Sequence, residues 1–247
     1  MKIFNIHLEF NRDELFKVID RRLAEKKAGY VCICDSSVVS RGQNNLKYRS
    51  IIEGAFINSC DGSSICTLAK KIYGGNLESV NGPEIFARYI KIPYKQVILG
   101  NTEEIVQMVR DKMRSENIDD SHIYHMQLPF CSADEFDYEN IAKKINTDGY
   151  DIIWVSLGNP KQEIFMSKLL PYINNGVLFG IGAALNFWTG ELSLPKFHIG
   201  SLRFIWLTRL FEDPKRQFKM NLQILKSLPK MYQEEVKRKQ LSEQIRH

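Results

Sequence analysis

The chain has 247 residues, of which 44% are hydrophobic and 26% are charged. This composition is typical of a globular protein with a substantial core in one large or two small domains. No apolar run reaches the roughly 18 to 20 residues of a membrane span, and the N-terminus lacks the layout of a signal peptide. The five cysteines form no CxxC pair, which favours reduced, buried thiols over a disulfide framework or a zinc site.

The net charge of +5 is concentrated at the C-terminus. From Lys215 to His247, nine Lys or Arg against three Glu give +6, so the remaining residues sum to −1. A basic tail on a neutral body is typical of proteins that bind nucleic acid, anionic lipid or acidic ligands. Nucleic acid is disfavoured, because the body has no basic excess and no aromatic-rich binding motif.

The tail also has apolar residues at Phe218, Leu222 and Leu225, a spacing that places them on one helical face. A basic helix with such a face is expected to lie on an anionic membrane. The alternative is a helix that packs on the body and keeps only its charged face in solvent.

Short apolar runs alternate with helical patterns along the first 195 residues. Strands are predicted at 2–8, 30–34, 54–58, 96–99, 123–126, 152–157 and 177–181, with helices at 12–28, 64–73, 84–90, 103–116, 136–147 and 161–170. Ser63 or Ser64 is the predicted N-cap of the helix at 64–73. This alternation predicts an α/β fold, a Rossmann-like and mainly parallel sheet with helices on both faces.

Beyond residue 195 the pattern predicts helices alone, at 203–211 and 215–231, and Pro229 is expected to kink or end the last one. The predicted organisation is therefore an α/β body at 1–195 and a helical, basic appendage at 196–247.

Ligands of open α/β sheets bind beyond the carboxyl ends of the strands, so the turns from strand to helix are the segments to inspect. There are five: CICDSS, NSCDGSS, ILGNTEE, SLGNPKQE and GIGAALN. Glycine allows close backbone approach to a ligand, and the helix N-terminus that follows offers unpaired N–H groups to an anion. This edge of the sheet is therefore the predicted ligand site.

The SLGNPKQE turn places Lys161, Gln162 and Glu163 together in the first turn of a helix. Helix initiation alone, with Asn159 as N-cap and Pro160 at the first position, would account for Pro160 and Glu163. It does not account for Lys161, whose charge the helix dipole disfavours. Spacing alone favours the structural and the binding interpretation equally.

Asp61 is the best single candidate for acid–base chemistry. It follows a buried strand and precedes Gly62 and a helix, where a carboxylate can accept a proton from a substrate hydroxyl. The alternative is an Asx turn at Asp-Gly. The sequence contains no G-x-G-x-x-G, P-loop or G-x-S-x-G motif, and no Asp-x-Asp pair that would indicate a metal, so neither a cofactor nor a metal is expected. The spacing of the histidines favours structural roles.

These motifs together resemble the WecG/TagA/CpsF glycosyltransferases, glycosyltransferase family 26. Six segments follow the family's order between about residues 31 and 214: NSCDG, SVNGPE, ILGN, SLGNPKQE, GIGAALNFWTG and RFIWLTRLFEDPKR. The resemblance implies inverting, metal-independent transfer from a UDP-sugar to a lipid-linked acceptor carrying polyprenyl pyrophosphate. It places the protein at the cytoplasmic face of the membrane, in the synthesis of exopolysaccharide, capsule or other cell-envelope polymers, and is compatible with a homo-oligomer.

The resemblance also assigns residues. The base is Asp61, and the expected donor-binding positions are Gly62, Asn81, Gly82, Gly100, Asn101, Gly158, Pro160, Lys161, Gln162, Glu163, Gly182 and Asn186. Three arginines of the appendage are expected at the diphosphate or the acceptor: Arg203, Arg209 and Arg216.

The chain departs from the family pattern at several positions. The residues that differ are Cys32 and Cys34 (usually Thr-x-Asn), Ser79 (Arg), Asn186 (Asp), Ser193-Leu194 (Arg-Ala) and Ile205 (Glu). These departures indicate an altered donor or acceptor. The alternative is a non-catalytic homologue that binds a sugar nucleotide, which the retention of Asp61 argues against. A nucleotide-dependent redox enzyme is disfavoured, since the third glycine of its fingerprint is missing after Gly180-Ile181-Gly182.

Overall fold

The computed structural model describes residues 1–191, 198–199, 202–203 and 214–244. The strands in chain order are β1 (Lys2–Ile3), β2 (Ile6–His7), β3 (Gly29–Cys34), β4 (Ile57–Cys60), β5 (Gln96–Gly100), β6 (Ile123–Met126), β7 (Ile152–Ser156), β8 (Val177–Gly180), β9 (His198–Ile199) and β10 (Leu202–Arg203). The helices are α1 (Arg12–Ala24), α2 (Ser36–Asn44), α3 (Leu46–Glu53), α4 (Ser63–Tyr73), α5 (Gly82–Tyr89), α6 (Glu103–Ser115), α7 (Tyr138–Asp148), α8 (Lys161–Leu169), α9 (Ala184–Thr189) and a C-terminal helix (Pro214–Gln244).

A six-stranded sheet with the order β4-β3-β8-β7-β5-β6 forms the centre of the molecule, and all of its strand pairs are parallel. Both faces are covered. Helices α2, α3, α4, α7, α8 and the C-terminal helix pack on one face, and α1, α5, α6 and α9 pack on the other. Every residue of β3 is buried, because alternate side chains point into two different cores. The predicted α/β fold is confirmed.

The secondary structure differs from the prediction in several places. Residues 2–8 form a hairpin of two short strands rather than one strand, with Phe4 and Asn5 at positive φ in the turn. Helices α2 and α3 were not predicted, because buried Ser37 and Ser40 weaken the apolar period of α2. The region after residue 195 is not purely helical, since β9 and β10 pair antiparallel and Arg203 belongs to a strand. Strands of two residues are too short for a periodicity to reveal.

The C-terminal helix is 31 residues long and continues through Pro229, which neither ends it nor divides it. Met231 is buried in the core beneath α2 and α4, and Leu228, Tyr232 and Val236 pack against the same cluster. The hydroxyls of Ser40 and Ser227 lie 2.7 Å apart. The second half of this helix therefore packs on the body, as the alternative interpretation of the tail expected. Among the described residues, no helix is both long and apolar enough to cross a bilayer.

Candidate functional site

The five strand-to-helix turns lie along one edge of the sheet, because the strands that precede them are all parallel. The segment before α5 joins them through backbone contacts. The N–H of Val80 donates to the carbonyl of Cys60 at 2.9 Å, and the Ser59 hydroxyl donates to the carbonyl of Val80 at 2.6 Å. These contacts hold Asn81 and Gly82 at the strand ends.

Gly82 lies beside β3 and the start of α9, at ordinary van der Waals distance. A Cβ built there would lie 3.5 Å from both Ile33 Cδ1 and Ala184 Cβ. Asn81 caps α5, since its side-chain oxygen accepts from the N–H of Glu84 at 2.9 Å. The cap therefore fixes the orientation of the turn at the start of α5.

Asp61 lies half-buried between β4 and α4. Its N–H donates to the carbonyl of Cys34 at 3.0 Å, which ties it to the neighbouring strand end. Gly62 has φ of 96° and occupies the N-cap position without a side-chain cap, so the prediction of Ser63 or Ser64 as N-cap was wrong. The Ser64 hydroxyl instead lies 2.5 Å from that of Ser36, at the start of α2.

The β7–α8 turn contains Gly158, with φ of 72°, and a cis peptide bond between Asn159 and Pro160. Helix α8 begins at Lys161, so Lys161, Gln162 and Glu163 occupy its first turn as predicted. Asn159 is not the N-cap, and Pro160 is not the first helical residue. Pro160 occupies the cap position and no side chain caps the helix, because the Asn159 oxygen points elsewhere and lies 3.5 Å from the Tyr48 hydroxyl.

Glu163 is fully buried beside β3 and α3. Its carboxylate accepts from the Tyr48 hydroxyl at 3.1 Å and from Gln162 Nε2 at 2.9 Å. Burial raises the pKa of Glu163 to about 7, although these hydrogen bonds oppose the shift. Burial also raises the pKa of the neighbouring Cys32 thiol. Sequence reasoning missed Tyr48, because α3 itself was not predicted.

The Gln162 side chain reaches the end of β8. Its Nε2 donates to the carbonyl of Gly180 at 3.1 Å, while its buried Oε1 has no hydrogen-bond partner among the described residues. A Cβ on Gly182 would lie 3.4 Å from this oxygen, and one on Gly180 only 2.8 Å from the end of Met166. A buried acceptor without a partner costs free energy unless a ligand or water supplies a donor.

Ser156 connects the turns after β5, β7 and β8. Asn101 Nδ2 donates to the Ser156 hydroxyl at 3.2 Å, and that hydroxyl donates to the carbonyl of Gly182 at 2.8 Å. Gly100 and Asn101 both have positive φ, which bends the chain sharply at this point. The structure thus brings Gly100, Asn101 and Gly182 together with the α8 turn.

His125, on the neighbouring edge strand, supports this turn. Its ring nitrogens lie 3.1 Å from the carbonyl of Gly100 and 2.6 Å from a Glu103 carboxylate oxygen. This arrangement agrees with the structural role that its spacing favoured.

An exposed aromatic side chain lies beside Lys161. The Lys161 ammonium is 4.9 Å from the ring centroid of Phe136 and 5.7 Å from that of Phe130. Phe130 is fully exposed on a loop that is nevertheless tied down, since Glu135 accepts from the N–H of Ser132 at 2.7 Å. No sequence pattern had indicated Phe130. It stands out only in the structure, as a large apolar side chain held in solvent.

Four predicted site residues remain: Asn186 and the three arginines of the appendage. Asn186, on α9, donates its side-chain N–H to the carboxylate of Glu191. Arg203 and Arg216 are described by their backbone positions in β10 and the C-terminal helix, and Arg209 lies outside the described residues. Within the described part of the chain, no group of three His, Cys, Asp or Glu side chains is placed to hold a metal ion.

Along one edge of the sheet, the strand ends present a half-buried carboxylate, a lysine and an amide oxygen that has no partner among the described residues. A sequence model of the Glycosyl transferase WecG/TagA/CpsF family matches residues 1–241, a longer span than residues 31–214, where the motifs lie. Members of this family are glycosyltransferases of cell-surface polysaccharide biosynthesis, which in general use a nucleotide-sugar donor and a lipid-linked acceptor. The chain therefore belongs to the WecG/TagA/CpsF glycosyltransferase family.

Proposed function

We propose that this protein transfers a hexose from a UDP-sugar to a saccharide linked to polyprenyl pyrophosphate, with inversion at the anomeric carbon and without a metal ion. Family membership and the position of Asp61 at the edge where the glycine-rich turns converge support this proposal. The single observation that carries the proposal is the grouping of these turns around the Gln162 oxygen, an acceptor without a partner among the described residues.

Asp61 acts as the general base. It removes the proton of the acceptor hydroxyl while that oxygen attacks the anomeric carbon from the face opposite UDP. The bond from the anomeric carbon to the diphosphate oxygen breaks, and UDP leaves with both bonding electrons. The backbone N–H of Asp61 donates to the carbonyl of Cys34, and this hydrogen bond fixes the Asp61 backbone at the end of β4.

The donor lies across the turns after β5, β7 and β8. Gln162 supplies its unpaired oxygen to an N–H or O–H of the donor, and Gly182 leaves room for that contact. Lys161 offsets negative charge on the diphosphate. The exposed ring of Phe130 lies close to Lys161 and offers an apolar face to the uracil or to the sugar ring of the donor.

Because the acceptor is a membrane lipid, the enzyme must contact the inner face of the cell membrane. The basic C-terminal segment, with a charge of +6 over residues 215–247, supports peripheral attachment to anionic lipid there. Arg209 and Arg216 are proposed to reach the diphosphate from this appendage, with Arg203 in a similar role.

Incubation of the purified protein with a panel of UDP- and GDP-sugars and a short-chain lipid pyrophosphate saccharide tests the proposal. Formation of an extended lipid product from one UDP-sugar is the expected result. Nucleotide-sugar binding without product or hydrolysis would favour the alternative, a non-catalytic binding homologue. Binding of NAD in place of UDP would overturn both.

A further inference from the structure

Tyr48 reaches the candidate site from α3, an element that carries none of the family motifs. The side chain is only 3% exposed. Its hydroxyl lies 3.1 Å from Glu163 Oε2 and 3.5 Å from Asn159 Oδ1. A hydroxyl has a single proton to donate, so the shorter contact, to the carboxylate, receives it.

The Glu163 carboxylate determines the orientation of the Gln162 side-chain amide, that is, which positions its oxygen and nitrogen occupy. In the ionised form Glu163 Oε1 can only accept, so the Gln162 atom 2.9 Å from it is then the NH2 group. The second hydrogen of that group donates to the Gly180 carbonyl at 3.1 Å. A flipped amide would put its oxygen against two acceptors. Gln162 Oε1 is therefore turned toward Gly182, where it has no partner among the described residues.

We propose that Tyr48 is a positioning residue: it holds the Glu163 carboxylate so that Gln162 presents an acceptor oxygen to an N–H or O–H of the donor. This inference rests on the proposed function, because it takes the ligand at Gln162 to be the nucleotide sugar. It also identifies the chemical class of the contacting group, which must be a hydrogen-bond donor such as an imide N–H or a sugar hydroxyl.

The contact should depend on pH. The titratable groups that act on Glu163 from the elements packed around it are Tyr48, Cys32, Cys34 and Asp35. Burial and the Asp35 carboxylate raise the pKa of Glu163, to about 7, while hydrogen bonds from Gln162 and Tyr48 lower it. Above this pH the carboxylate accepts both bonds. Below it the carboxyl gains a hydrogen, the contact with the Gln162 NH2 group weakens, and the amide is released to turn.

The test compares UDP binding by the wild-type protein, Tyr48→Phe and Tyr89→Phe, using titration calorimetry over the range from about pH 5.5 to 8.5. Tyr89 is the matched control, because its buried hydroxyl also donates to a carboxylate, that of Asp20 at 2.7 Å, on the opposite face of the sheet. For the wild type, affinity is expected to fall as the pH drops through about 7.

In Tyr48→Phe, loss of a hydrogen bond to the charged form should move this midpoint upward by about one pH unit. Affinity at pH 7 then falls roughly fivefold, and it approaches the wild-type value at the alkaline end. Tyr89→Phe should keep the wild-type profile. A Tyr48→Phe profile that matches the wild type, or one weakened equally at every pH, would overturn the inference while leaving the proposed function in place.

If the wild type binds no uridine nucleotide at any pH, the proposed function falls and the inference with it. Thermal unfolding establishes whether each variant is folded. If Tyr48→Phe is not folded, Glu163→Gln replaces it, because this variant has no carboxyl group to titrate. The step near pH 7 should then disappear. Its persistence in Glu163→Gln would equally overturn the inference.

Discussion

Glu235→Ala should lower the free energy of unfolding by about 3 kcal/mol, because it removes the acceptor that fastens the C-terminal helix to the body. The Glu235 side chain is only 1% exposed. It accepts from the backbone N–H of Phe4 at 2.9 Å, the Tyr73 hydroxyl at 2.6 Å and the Arg238 guanidinium at 2.7 Å. These bonds join the helix to the N-terminal hairpin and to the end of α4.

The magnitude follows from what each donor loses. The buried N–H of Phe4 would be left without an acceptor, at a cost of roughly 1–3 kcal/mol, and the half-buried Tyr73 hydroxyl costs less because it can turn to water. Arg238 is close to half exposed and can be solvated, so its loss adds little.

Urea unfolding followed by circular dichroism measures the effect. With a slope of about 2–3 kcal/mol/M, the midpoint should fall by about 1 M or more. Glu234→Ala is the control, because this neighbouring carboxylate is half exposed and lies 3.9 Å from Lys230. The control should lose less than about 0.5 kcal/mol. Equal losses in the two variants would refute the assignment of Glu235 as the fastening residue.

Three further predictions concern the proposed reaction and its location. Asp61→Asn should bind UDP-sugar almost normally yet slow transfer roughly 100-fold or more, and unchanged turnover would exclude Asp61 as the base. Transfer should persist in EDTA, with Lys161 and the appendage arginines offsetting the diphosphate charge, whereas loss of activity that Mg²⁺ or Mn²⁺ restores would indicate a metal site. Replacing exposed Lys230 and Lys237 by Gln should weaken co-sedimentation with anionic liposomes by roughly fivefold per residue at low salt, and full retention would argue against membrane contact through this helix.

The sheet and its ligand-binding edge were predictable because both depend on local patterns. Short apolar runs such as 152–157 are buried on both faces in a parallel sheet. Polar residues follow the runs at all five turns, and four of the five turns contain glycine. Parallel strands place these endings at one edge whatever the strand order. The order β4-β3-β8-β7-β5-β6 itself was not predictable, since it depends on contacts between distant parts of the chain.

Helix starts were predicted less well than helices. The rule that Asn-Pro begins a helix failed at α8, because the Asn159 oxygen lies near Tyr48 rather than over the helix N-terminus. The N-cap rule also failed at α4, where Gly62 fills the position and Ser64 contacts another helix. At α4 the Ser64 hydroxyl has a partner on another helix, and at α8 the Asn159 side chain is directed toward α3. Both neighbours lie far away in the sequence, so a local pattern does not reveal them.

The contact between Tyr48 and Glu163 gives a physical interpretation of the departures at Cys32 and Cys34. Both thiols are buried in β3 beside Glu163, and burial raises their pKa, so they remain neutral. A neutral thiol is a weak hydrogen-bond donor, much weaker than the hydroxyl of the threonine that the family often carries at the first of these positions. Glu163 therefore needs a strong donor from another element, and Tyr48 of α3 supplies it at 3.1 Å. On this argument, the loss of polar side chains from β3 does not by itself remove the buried carboxylate that orients Gln162.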